Sequence, residues 1–257
     1  MIFDEETARS YDDWLLTPVG RYIDRREKGL ILHLIAPEEG ERLLDIGCGT
    51  GNHLRFFRRK GCNVTGLESS PSMLDIARKK LGQRADFHVG KAEDLPFSDN
   101  EFDIVTMITS VEFMDDPQTA IAEAIRVCRD RVFIGVLNKY AIIGMQRRIR
   151  GIFRQSIFNS ARFFGIGELT QIVKTALPGV NIRWGSVIFL PFGWYSFATG
   201  LEEIIPVMNN PFGAFIGLSF PVVFTHRTIQ DIVKSHIKVG GTEGKRKVQG
   251  AVREIKR

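Results

Sequence analysis

The chain has 257 residues, of which 44% are hydrophobic and 25% charged, so it has the material for a sizeable core and is neither wholly disordered nor collagen-like. Its three cysteines, Cys48, Cys62 and Cys128, make no disulfide framework and point to a reducing cytoplasm; no Cys-x-x-Cys or His-Glu-x-x-His suggests a zinc site. The net charge of +5 is unevenly placed: nine of the 35 basic residues but only three of the 30 acidic ones fall between Arg227 and Arg257. The excess therefore belongs to a Gly-rich tail, read as a solvated end. The alternative for that tail is an anionic partner such as a phospholipid surface or nucleic acid.

The acidic start, Asp4-Glu5-Glu6, lacks the basic and apolar regions of a secretory leader. Thr17-Pro18 forms a cap followed by proline at the first helical position, and Val19, Ile23, Leu30 and Leu34 continue at near-helical spacing to Pro37. A strand is predicted over 41–46, then a helix over 52–60 with a basic outer face. The pattern repeats with a strand at 63–67, a helix at 71–81 and a strand at 85–89. It repeats again with a strand at 102–108, a helix at 117–127, a tight link at 128–131 and a strand at 131–137. Short apolar runs alternating with helices predict a parallel sheet covered on both faces.

Beyond Leu137 the pattern changes. A basic helix is predicted over 140–153, with Arg147, Arg148, Arg150 and Arg154 on it or at its end. A helix at 167–176, a strand at 181–190, a helix at 197–207 and a strand at 213–224 follow. The stretch from Ile204 to His226 is charge-free and long enough to cross a bilayer, but Pro206, Pro211 and Pro221 interrupt it, so no membrane span is expected. One domain is expected over 1–226, with a helical lead-in at 1–40, an elaborated half at 138–226 and a basic tail at 227–257.

The chemistry concentrates in Leu43-Leu44-Asp45-Ile46-Gly47-Cys48-Gly49-Thr50-Gly51-Asn52, a buried strand that runs through three glycines into a helix. Such a turn lets a ligand approach the backbone and aims unpaired helix N–H groups at it. Asn52 stands where a dinucleotide fingerprint needs its third glycine, which disfavours nicotinamide. Asp45, two residues before the first glycine, is placed for a cationic ligand group. Glu68 ends the next strand, where a carboxylate can accept from a ribose diol.

With these residues in place, Leu43–Gly51 resembles the first motif of the class I S-adenosylmethionine-dependent methyltransferases. Gly66–Leu74 resembles their second segment, and Ala92–Phe97 followed by Phe102–Val105 resembles the third and fourth. Tyr11-Asp12-Asp13-Trp14, with Gly20-Arg21 and Glu27, resembles the lead-in of the type 11 small-molecule branch. The resemblance implies a Rossmann-like, doubly wound α/β fold with a seven-stranded sheet in the order 3-2-1-4-5-7-6 and strand 7 antiparallel. Residues 181–190 become strand six, 213–224 strand seven and 197–207 the connection between them.

It also implies S-adenosyl-L-methionine as cofactor and S-adenosyl-L-homocysteine as product. Gly47, Cys48, Gly49 and Gly51 would line the methionine moiety, and Asp45 would meet its ammonium. Glu68 would hold the ribose, with Ser69, Ser70 and Met73 near the adenine and Ala92 and Glu93 at its edge. Ile108 would offer backbone, and Tyr11 would close over the site. Lys91 and Phe113 depart from the family pattern, replacing an acid and a histidine.

Methyl transfer by in-line displacement needs alignment more than a base, and no catalytic residue is assigned. His53 reads as a helix-surface residue, and Glu112 as a candidate substrate contact at the mouth; His226 and His236 read as surface residues. The aromatic set Phe189, Phe192, Trp194, Tyr195 and Phe197 reads as core, or else as the wall for a bulky apolar acceptor. The expectation is a cytoplasmic methyltransferase with a small-molecule acceptor and no membrane span, peripheral membrane contact being an additional role for its basic segments. The alternatives are a non-catalytic cofactor-binding scaffold and a nucleic-acid methyltransferase.

Overall fold

In the computed structural model, the described residues are 5–141, 161–190 and 199–222. They run α1 (Glu5–Leu16), α2 (Pro18–Ile35), β1 (Arg42–Ile46), α3 (Asn52–Arg59), β2 (Asn63–Glu68), α4 (Pro71–Leu81), β3 (Asp86–Val89) and β4 (Phe102–Ile108). Then come α5 (Pro117–Val127), β5 (Cys128–Leu137), α6 (Ile166–Ala176), β6 (Arg183–Val187), α7 (Thr199–Glu203) and β7 (Phe215–Pro221).

Three helices start where a capping side chain meets a proline. Thr17 Oγ1 accepts from Gly20 N at 3.0 Å, Ser70 Oγ from Met73 N at 3.4 Å, and Asp116 Oδ1 from Gln118 N at 3.0 Å. The prolines at 18, 71 and 117 give up no helical hydrogen bond there, and each cap contributes about 1 kcal/mol.

The strands lie in the order β3-β2-β1-β4-β5-β7-β6, as the resemblance implies. The pairs β3–β2, β2–β1, β1–β4 and β4–β5 are parallel, and β7 is antiparallel to both β5 and β6. Alternating strand residues feed two apolar layers. Leu44, Val105 and Val132 pack with Ala120, Ile121 and Leu169 of α5 and α6, while Leu43, Ile104 and Phe133 pack with Leu30, Leu54 and Leu74 of α2, α3 and α4. The hydropathy of 204–226 is accounted for in part by β7, buried from Phe215 to Phe220. Among the described residues no helix is long and apolar enough to cross a membrane.

A row of glycines seats α2 on the sheet. Gly135, Gly217 and Gly185 stand side by side across β5, β7 and β6. A Cβ on Gly135 would come within 2.5 Å of the Phe215 ring, and one on Gly217 within 3.0 Å of Phe133 and 3.1 Å of Leu30. The row is a trough that admits two aromatic rings and the Leu30 side chain.

The structure revises several expected boundaries. Residues 128–131 are not a link but the start of β5: Cys128 pairs with Phe102 across a register shift, and its side chain is fully buried. Within the helical lead-in expected at 1–40, residues 5–16 form a helix of their own, for which the sequence predicts no separate bounds. Strand six shortens to Arg183–Val187 and strand seven to Phe215–Pro221. The helix expected over 197–207 reduces, within the described residues, to Thr199–Glu203, ending ahead of Pro206. The arginine cluster Arg147–Arg154, the aromatic residues 192–197, His226, His236 and the tail 227–257 lie outside the described residues.

Candidate active site

The parallel order places the carboxyl ends of β1, β2 and β4 side by side, and the turns leaving them line a cavity of about 320 Å³. Gly47, at φ +74°, lets the chain reverse after β1: its N–H and that of Cys48 both reach Leu67 O, at 2.7 and 3.1 Å. A Cβ at Gly47 would lie 2.4 Å from Ser110 Cβ, so the turn presses against the loop after β4. Gly51, at φ +78°, opens α3 packed against Ala77 and Leu81 of α4. At Gly49 a Cβ would meet nothing within 4 Å, which leaves that face of the turn open.

Glu68 braces this turn. Its Oε2 accepts from Gly49 N at 3.0 Å, and its Oε1 from Ser70 N at 2.9 Å and Ser69 Oγ at 3.3 Å. Three of a carboxylate's roughly four acceptor positions are thus used. Asp45 lies beneath the turn, 2% exposed, and its Oδ1 accepts from Thr106 Oγ1 at 2.7 Å. Burial pushes its carboxyl up to about 7 against the opposing Thr106 hydrogen bond, with the Glu68 charge adding to the rise.

On the neighbouring wall, Glu93 Oε1 accepts from Asp115 N at 3.0 Å and Asp116 N at 3.2 Å, tying the loop after β3 to the start of α5. Lys91 turns to Asp115 at 3.0 Å, and this exposed ion pair raises the lysine pKa. Of the residues expected at the site, Tyr11, Gly47, Cys48, Gly49, Glu68, Ser69, Met73, Ala92, Glu93 and Ile108 line the cavity. Asp45, Gly51 and Ser70 do not: Asp45 supports the turn from below, Gly51 packs on α4, and Ser70 caps α4.

Three residues, Asp12, His53 and Glu27, have surroundings that the sequence reading does not give. Asp12 on α1 is a hub whose Oδ1 accepts from Thr50 Oγ1 at 2.8 Å, Asn52 Nδ2 at 2.9 Å and Lys80 Nζ at 2.7 Å. It fastens the lead-in helix, with cavity-lining Tyr11 and Trp14, onto the glycine turn. Burial raises the Tyr11 phenol, with Glu27 and Asp24 reinforcing the shift, so this hydroxyl stays protonated.

His53 is not on the helix surface. It is 8% exposed, lines the cavity, and its buried Nε2 has no hydrogen-bond partner. Burial, then the Lys28 charge, lowers it to about 4, so the imidazole is neutral at pH 7. The signal was its position one turn before buried Phe57, on the inward face.

Glu27 also lines the cavity, from the middle of the α2 stripe Ile23, Leu30, Ile31 and Leu34. Burial pushes it up to about 8, with Asp24 adding and Lys28 opposing. An acid inside an apolar stripe was the readable signal. Glu112 is buried behind the mouth, its Oε1 accepting from Leu137 N at 2.7 Å and its Oε2 without a partner; burial raises it to about 7.

An α/β sheet of this order, with a glycine turn, a strand-end acid and a cavity at the carboxyl edge, defines a nucleoside-binding methyltransferase architecture. The methyltransferase-domain model matches residues 44–134, and the chain belongs to that family. It is 35% identical over 140 residues to a demethylmenaquinone methyltransferase of Thermotoga maritima, covering 53% of this chain and 59% of that protein. It is 30% identical over 149 residues to a ubiquinone biosynthesis O-methyltransferase of Aromatoleum aromaticum, covering 53% of this chain and 63% of that one. The match thus spans about three fifths of these curated relatives.

An uncharacterized protein of Methanocaldococcus jannaschii is 30% identical over 190 residues, which are 73% of this chain and 85% of that one. Among solved structures, a Thermotoga maritima SAM-dependent methyltransferase, named as a possible histamine N-methyltransferase, superposes with a TM-score of 0.68. It is 29% identical, and the match covers 86% of this chain and 98% of that one.

Proposed function

We propose that this protein is an S-adenosyl-L-methionine-dependent methyltransferase acting on a small molecule. The observation that carries the reading is the open face of Gly49 beside the carboxylate of Glu68 in one cavity. A volume of about 320 Å³ suits a nucleoside joined to an amino acid. The residues fit the cofactor: the 47–49 backbone would take its methionine part, with Asp45 acting from below. Glu68 would take the ribose, and Met73, Ala92 and Glu93 would flank the adenine. The Glu93 carboxylate is engaged by two backbone N–H groups, so an adenine contact falls to the backbone near Ala92. When bound, the cofactor supplies an already activated methyl group. The protein's part is to hold two reactants aligned and exclude water, an effect that reaches about 7–11 kcal/mol in favourable systems.

The relatives' names include quinone-pathway enzymes and a histamine N-methyltransferase reading, which support a small acceptor without choosing one. A cytoplasmic setting is part of the proposal, supported by three buried free thiols. So is a single methyltransferase domain over 1–226 with a basic tail. Calorimetric titration with S-adenosylhomocysteine tests the reading. Wild type should bind at micromolar Kd, and folded Glu68→Ala at least about tenfold more weakly, equal to about 1.4 kcal/mol. Equal affinities, or no binding by folded wild type, would contradict it.

A further inference from the structure

The wall contributed by α2 and α3 holds two polar groups that the described residues leave unsatisfied. Glu27 lines the cavity and makes no hydrogen bond or ion pair there, because the adjacent cation, Lys28, is held by Asp24 at 2.6 Å. His53, 8% exposed, lines the same cavity, and its Nε2 is sealed within the wall without a hydrogen-bond partner. The cavity also presents apolar side chains, among them Trp14, Ile23, Phe113, Leu137 and Ile188. Glu27 is half-buried and open to the cavity, and holding a carboxylate there without a partner is costly. A bound group that supplies N–H donors and a positive charge satisfies the Glu27 carboxylate, whereas a neutral hydroxyl offers one donor and no charge.

We propose that Glu27 and His53 form the acceptor subsite and that the methyl acceptor is a small amine with an apolar body. This deepens the methyltransferase reading and rests on it. The acceptor arrives as an ammonium, and Glu27 takes one of its protons. The freed nitrogen lone pair forms the new N–C bond as the methyl C–S bond breaks, its electron pair staying on sulfur. The product leaves as a methylammonium, and the proton on Glu27 passes to solvent. His53, neutral, stands in the same cavity wall and adds no charge to compete with Glu27 for the ammonium. The raised pKa of Glu27, about 8, suits a group that takes and returns a proton near neutrality.

The test uses the full chain saturated with S-adenosylhomocysteine and two probes, phenethylamine and its neutral isostere phenethyl alcohol. Wild type should bind the amine at least about tenfold more tightly, the scale of one charged hydrogen bond. Glu27→Gln should bring the two probes to within about threefold while S-adenosylhomocysteine affinity stays within about twofold.

A wild-type pH profile gives a reading that needs no variant. Tyr11 on α1, Asp24 and Lys28 on α2 and Glu112 from the turn after β4 all act electrostatically with Glu27. Because Glu27 must be ionised to receive the ammonium, amine affinity should fall by up to about tenfold per unit below pH ~8, and alcohol affinity should stay flat. Equal binding of the two probes, an amine preference that persists in Glu27→Gln, or a flat amine profile would overturn the inference. Normal S-adenosylhomocysteine binding with no amine preference overturns it alone. Failure of wild type to bind S-adenosylhomocysteine overturns the methyltransferase reading and takes this inference with it.

Discussion

The two walls of the cavity differ in how their polar groups are settled. Around the glycine turn, Glu68 braces Gly49 and Ser70, Thr106 holds Asp45, Glu93 holds the start of α5, and Asp12 gathers Thr50, Asn52 and Lys80. On the α2–α3 wall, Glu27 and the His53 Nε2 have nothing among the described residues. One wall is assembled in advance; the other is completed by whatever it binds. Preorganisation lowers the cost of binding on the first wall, and stability is given up on the second.

Substitutions should separate the two walls by sign. The largest effect is expected at Asp12. Asp12→Ala leaves Lys80, Thr50 and Asn52 without their shared acceptor and should lower stability by about 2 kcal/mol, as measured by urea unfolding. It should also weaken S-adenosylhomocysteine several-fold, because α1 and the turn come apart. A stability change below about 0.5 kcal/mol would mean that the hub only decorates the surface.

The next effect is a pH dependence. Asp45, Glu112 and Glu27 rise to about 7, 7 and 8, so the folded state binds more protons than the unfolded one from pH ~4.5 up to about 8. Stability should therefore fall as pH rises through that window. His53, lowered to about 4, acts in the opposite sense between about pH 4 and 6.5. The fall is consequently cleanest between about pH 6.5 and 8, where Tm should drop by several degrees. Glu112→Gln, which keeps an acceptor for Leu137 N, should flatten part of it. A Tm that rises across this interval would contradict the assigned shifts.

The smallest effect is at His53. His53→Leu removes an orphaned buried nitrogen and keeps an apolar face, so stability should rise by about 1 kcal/mol in the same urea experiment. A loss of more than about 1 kcal/mol would show that the imidazole has a partner.

These contrasts also mark what the sequence could disclose. The proline-started helices at 18, 71 and 117 and the apolar strands were legible because caps and alternation are local. The glycine turn and Glu68 were legible because one strand and one helix fix their separation. The Gly135–Gly217–Gly185 row was not, since each glycine answers to a ring or a leucine on another element. Asp12 stands in the lead-in motif, but its partners were equally silent, since they lie 38, 40 and 68 residues away. His53 and Glu27 left a trace, one as a polar residue beside Phe57 on an inward face, the other as an acid within a leucine–isoleucine stripe. The basic residues 55, 58 and 59 drew the reading of α3 toward its outer face.

Hydrogen exchange of the amides with and without S-adenosylhomocysteine tests the division of the cavity most directly. The account predicts new protection at 47–51, 68–70 and 91–93, with the amides around Glu27 and His53 unchanged until an amine is added. Protection centred on Glu27 and His53 with cofactor alone, and none at the glycine turn, would contradict it.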